Sequence, residues 1–192
     1  FLILVAYYGT EAYAAYGIGV QILSFSFVIG FGFSIAGATL VGQHLGAQNK
    51  DQAKRAGWGA MRLSIISMTF FGVLITVFAE PLARYMIDND EVVRLTVIFI
   101  WLLGSMQPLM AIEFSLGGAL RGAGDTKTPL AITLTCLLFI RVFLAVIFFL
   151  LDARIEIIFS TLVADYIVKG FLYVARFRSD RWMNAIKSKE AG

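Results

Sequence analysis

Five long apolar runs, separated by short polar gaps, constrain this 192-residue chain more than anything else in it. Each run reaches about twenty residues, the length a helix needs to cross the hydrocarbon core of a bilayer. A soluble core tolerates one such run, not five. Composition agrees: 59% of residues are hydrophobic, mean hydropathy is +0.80 and only 15% are charged. Hydrocarbon offers no water to pair a backbone N–H or C=O, so segments that span it must be helical. The fold class that follows is all-α, a polytopic membrane helical bundle. Spans are expected at about 11–44, 53–78, 92–120, 129–151 and 155–175.

The charged residues crowd into the gaps, and the sign of each gap alternates. The first holds Lys50, Lys54 and Arg55 against Asp51, and the second Glu80, Asp88, Asp90 and Glu91 against Arg84 and Arg94. Arg121 and Lys127 accompany Asp125 in the third, and Asp152 and Glu156 accompany Arg154 in the fourth. After Val168 come Lys169, Arg176, Arg178, Arg181, Lys187 and Lys189 against Asp180 and Glu190. Basic loops remain on the cytoplasmic side of polytopic proteins, so the alternation predicts a cytoplasmic C-terminus, with a tail over 176–192. The net charge of +3 and pI near 9.1 are then topology determinants. No basic patch is interleaved with aromatics, so no nucleic-acid partner is expected. The acidic gap at 80–91 reads as a short amphipathic helix on the outer surface, with Pro81 suited to its first turn.

Cys136 is the single cysteine and lies inside an apolar run, which excludes disulfides and cysteine-rich metal sites within the chain. No Ser/His/Asp set, metal cluster or phosphate loop is visible, so neither an enzyme nor a bound cofactor is expected. The apolar stretch 1–8 is too short to span and lacks the basic flank of a signal peptide. It reads as the end of a truncated helix, and the sequence as a fragment.

Within the spans, Ala38, Gly42 and Gly46 recur every fourth residue, and Gly118 and Gly122 repeat the spacing. Small residues so spaced let helices approach closely, either for tight packing or as a hinging surface. Pro108 sits in mid-span, where a missing N–H and a clash with the preceding turn predict a kink. Gln107 beside it is placed to re-satisfy a freed backbone group. Gln21 is placed to face a cavity or to cap a neighbouring helix, and His44 reads as an interfacial residue rather than a ligand.

Charge at membrane depth costs roughly 2.5–3.5 kcal/mol on insertion scales, so Glu113, Arg141 and Asp165 each need a reason. At about 1.5 Å rise per residue, Arg141 and Asp165 share a depth on consecutive antiparallel helices. An ion pair between them is the economical explanation, with Lys169, one turn from Asp165, as the competing partner. Glu113 has no basic residue nearby in its own span. Burial raises a carboxyl pKa by up to about 3–5 units, which suits a group that loads and releases H⁺ or coordinates Na⁺. The alternatives are a permanently protonated Glu113 bonded to a neighbouring helix, or one facing cytoplasmic water.

The stretch 32–56 (GFSIAGATLVGQHLGAQNKDQAKRA) resembles the end of the second helix of a lobe in the MATE family, the multidrug and toxic compound extrusion transporters. The stretch 117–129 (GGALRGAGDTKTP) resembles that family's inner loop after its tenth helix. Asp88-Asn89-Asp90-Glu91-Val92 is similar to its segment after the ninth helix. Arg141–Val142 and the series Asp165, Lys169, Arg176 and Trp182 are similar to its last two helices. The resemblance implies one six-helix lobe, its first helix truncated, of a twelve-helix transporter whose N-terminal lobe is missing here. It implies efflux of small amphiphilic or cationic compounds in exchange for H⁺ or Na⁺, by alternating access, in a bacterial or archaeal inner membrane. Where one branch of the family carries an acidic residue on helix ten, this chain has Met110 or a near neighbour. Glu113 therefore stands on its depth and not on the resemblance. Coupling and substrate candidates are Glu113, Gln21 and Gln107; Arg141, Asp165 and Lys169 are candidates for structural ion pairing. The alternatives are a lipid-linked saccharide flippase of related architecture, or an inert membrane scaffold or fragment.

Overall fold

The computed structural model describes residues 5, 7, 9–151 and 154–184. Most of the stub at 1–8 and the end of the tail lie outside them. Helix α1 spans Thr10–Gly46, α2 Lys50–Val77, α3 Ala79–Met86, α4 Asp90–Ser105 and α5 Gln107–Gly122. Helix α6, Lys127–Thr135, passes through π-helical turns at Cys136–Val142 into α7, Phe143–Leu150; α8 is Ile155–Arg178. Helices α1, α2, α6–α7 and α8 are long and apolar enough to cross a membrane. The pair α4 and α5, bent by 54° at a short break, is long and apolar enough only when taken together, as a broken span or a re-entrant loop. The protein is an all-α, multi-pass membrane bundle.

The helix starts follow from short polar side chains that take up unpaired first-turn N–H groups. The Asn49 side chain accepts from the Gln52 N–H ahead of α2, and Asn89 accepts from Glu91 and Val92 ahead of α4. The expected amphipathic helix at 80–91 is shorter than its sequence window. Ile87 turns extended and frees Asn89 to cap α4. Pro81 lies in the first turn of α3, as anticipated.

Helix α1 runs beside α4 and α5 for most of its length. At one end of the bundle Phe99 packs against Tyr16, Phe159 and Gly19. At the other, α1 and α5 lie backbone to backbone: a Cβ on Gly118 would run into the Ser34 main chain, and one on Gly122 into that of Ala38. The small-residue spacing is therefore used for packing. Gly46 has nothing within 4 Å and takes no part.

The chain past 175 is not a loose tail at its start. Helix α8 continues to Arg178 and is tied down by side chains from three other segments. The Arg176 guanidinium donates through Nε and Nη2 to Asp125 Oδ2 at 2.9 and 2.6 Å. Lys54 reaches Asp180 at 2.7 Å, and buried Trp182 stacks on Phe177 at 4.5 Å. Burial works to raise the Asp125 carboxyl, but Arg176 and the Thr128 N–H and hydroxyl outweigh it and hold it below its ordinary value. A depressed native pKa contributes stability above the unfolded value, and that contribution fades as pH falls through the native one. Acidification below about 4 should thus loosen this end of the bundle. Asp125→Asn should melt lower than wild type at neutral pH and lose less on acidification, which thermal melts in detergent will read.

Candidate functional site

The break between α4 and α5 falls at Met106, with Pro108 in the first turn of α5. Proline there cannot donate to the carbonyl four residues back, which favours a kink or break over one straight helix. Four residues before Pro108 lies the Gly104 carbonyl, and the Ser105 hydroxyl donates further back, to the Leu102 carbonyl, at 2.8 Å. The Gln107 amide does not take the role foreseen for it among the described residues. Gln107 itself is fully buried, its stem lies against Gly72, and both amide atoms are without a hydrogen-bond partner among the described residues. An unsatisfied amide at a membrane helix break is a candidate polar contact.

Glu113 lies less than two turns past the break. Helix α8 crosses α5 where Gly170 meets Leu109, and this brings Lys169 to Glu113. The Lys169 ammonium is 3.6 Å from Glu113 Oε1 and 3.0 Å from Asp165 Oδ2. Glu113 therefore has a cation, supplied by another span and invisible along its own helix. Lys169, one of the partners weighed for Asp165, stands at salt-bridge distance from it. The positive charge of Arg141 acts on Glu113 and on neighbouring Tyr166 from the π-helical turns of the preceding span. The Lys169 ammonium also sits 5.4 Å from the Tyr166 ring centre, a cation–π distance.

The members of this cluster are not equivalent. Asp165 is fully buried and Lys169 nearly so, whereas 20% of the Glu113 side chain is exposed and its contact is the longer one. Glu113 is thus the more accessible and less tightly held carboxylate of the two.

Gln21 is elsewhere. It is exposed and lines a cavity of about 440 Å³ between α1, α2 and α3, whose other walls include Phe25, Phe71, Ile75 and Tyr85. The three coupling and substrate candidates thus occupy three surroundings: an apolar cavity, a sealed helix break and a charge cluster. The π-helical turns carrying Arg141 were not foreseen, since their residues, CLLFIRV, read as ordinary apolar helix. Such turns occur often at functional sites.

Comparison with known proteins places this geometry in a family. The model of the MatE family matches residues 1–147. A protein of Thermotoga maritima named probable multidrug resistance protein NorM is 34% identical over 183 residues, which covers 91% of this chain and 38% of that protein. NorM proteins of Mannheimia succiniciproducens and Aliivibrio fischeri are 33% and 29% identical over 67% and 64% of the chain. The chain spans 26–38% of the length of the relatives it matches. With more than half of its residues matched by the family model, this chain belongs to the MatE family.

Proposed function

We propose that the chain is the C-terminal lobe of a multidrug efflux antiporter that exchanges small amphiphilic or cationic organic compounds for H⁺ or Na⁺. The observation that carries this reading is the buried set of Glu113, Lys169 and Asp165, in a family whose relatives are named for multidrug resistance. Ionisable groups facing one another inside a membrane bundle mark ion pathways. Lys169 holds Asp165 as a fixed pair, and Glu113 is the member that loads the ion. Protonation or Na⁺ binding there releases Lys169 from its second carboxylate and relaxes the crossing of α8 on α5. The break at Met106 in the α4–α5 pair and the π-helical turns at Cys136–Val142 in α6–α7 are places where the bundle can bend as this happens.

Substrate would enter by alternating access, the lobe rocking against an N-terminal lobe around a midplane cavity. Aromatic walls such as those beside Gln21 attract organic cations by about 0.5–2 kcal/mol per ring. The tail end, where Lys54, Arg176 and Asp125 cluster, would face the cytoplasm of an inner membrane. A lipid-linked sugar carrier would need several cations on its cavity wall, and the lining beside Gln21 contains none among the described residues. The test is export from proteoliposomes of the full-length protein under an imposed Na⁺ or H⁺ gradient. Export driven by one gradient supports the proposal; export indifferent to both contradicts it.

A further inference from the structure

Helix α4 is wrapped on most of its circumference. Its Thr96 hydroxyl bonds to the Ala15 carbonyl and Phe99 packs on Gly19, so one face is turned to α1. The face opposite α1 carries Arg94, Val97, Ile98 and Trp101, spaced i, i+3, i+4 and i+7. Trp101 is 58% exposed. Together with Glu80 and Arg84 of α3, this stripe encloses a groove of about 480 Å³.

The groove is graded along its length. At the end of the bundle, Arg84 donates to Glu80 at 3.0 Å and to Asp90 at 2.9 Å, and Arg94 pairs with Glu91 at 2.7 Å. Deeper, it is apolar down to Trp101, about 10 Å below Arg94 at helical rise. Amphipathic α3 contributes Glu80 and Arg84 to the groove, and its Tyr85 is 92% exposed. The lining carries Glu80 and Asp90 against Arg84 and Arg94, and Glu91, just outside it, pairs with Arg94. Each lining carboxylate has oxygen left for a further N–H donor, and the Arg84 guanidinium carries five N–H groups, more than its two pairs use. The Asp90 and Glu80 side chains are 86% and 61% exposed, so they are open to such a donor.

We propose that this groove is a binding site for one phospholipid with a primary ammonium headgroup, such as phosphatidylethanolamine. The ammonium would be held by Glu80 and Asp90, the phosphate by Arg84 and Arg94, and one acyl chain would lie along Val97 to Trp101. The match is in sign and in the need for N–H donors, which a choline headgroup lacks. The site does not rest on the transport reading, since a lobe that moves nothing would still bind the lipid.

The test is fluorescence quenching of the full-length protein in nanodiscs, with chain-brominated phosphatidylethanolamine or phosphatidylcholine at equal low mole fraction. The ethanolamine lipid should quench Trp101 preferentially by about threefold, the scale of an exposed charge pair. Glu80→Gln with Asp90→Asn should bring the two lipids to parity. Val97→Phe, which fills the groove and leaves the charges intact, should do the same. Trp101→Phe should remove the preference from the signal. Parity in wild type, as when another part of the protein covers the groove, would overturn the proposal. So would a preference that survives both groove variants, or one that persists without Trp101.

Discussion

Glu113→Gln is expected to abolish gradient-driven export while leaving a folded, membrane-inserted protein. The substitution keeps the shape and polarity of the side chain and removes only its ability to take up a cation. Lys169 retains Asp165 at 3.0 Å, so no buried charge is stranded. Coupling between two ligands is typically about 1–3 kcal/mol, so its loss should weaken the effect of the bound cation on substrate affinity by about 5- to 150-fold. Asp165→Asn provides the contrast. It strips a nearly sealed ammonium of its closest partner, and breaking a buried pair in this way costs about 3–5 kcal/mol. That variant should fail in yield and thermal stability before transport can be measured. Should Glu113→Gln fail in the same manner, Glu113 is a structural partner and the ion is loaded elsewhere.

The second large effect is expected at the crossing of α1 and α5. A methyl group at Gly118 or Gly122 would meet main-chain atoms of Ser34 or Ala38, which cannot rotate aside as a side chain can. Overpacking costs about 1–3 kcal/mol even where side chains can adjust. Gly118→Ala and Gly122→Ala should each lower the melting temperature markedly, and the pair more so. Gly59→Ala in α2, with nothing within 4 Å, should be neutral or stabilising by up to about 1 kcal/mol. Thermal melts followed by size-exclusion chromatography in detergent would rank the three. Equal melting for Gly122→Ala and Gly59→Ala would mean that the helices are not in backbone contact.

The spans were legible because hydrophobic run length is a one-dimensional property, and the bilayer enforces it residue by residue. Pro108 announced the break for an equally local reason, the missing N–H. The charge cluster was legible only in part. Depth along a helix made Glu113, Arg141 and Asp165 conspicuous, and the i,i+4 spacing offered Lys169 to Asp165. The approach of Lys169 to Glu113 depends on which faces α5 and α8 turn to each other, which no spacing within either helix contains. The π-helical turns before Phe143 were hidden in the same way, because an apolar run such as CLLFIRV is compatible with either helix. The folded start of the tail was missed because its basic residues suit a solvated segment as well as a clamp. What fixes Arg176 is Asp125, a residue in a distant loop.

The assignment of Glu113 as the ion-loading group is open to measurement without transport at all. Substrate added to the purified full-length protein in weakly buffered solution should displace the bound cation, detectable as released H⁺ or Na⁺. Wild type should release ions in proportion to substrate bound, and Glu113→Gln should bind substrate and release none. Equal release from both proteins would contradict the assignment.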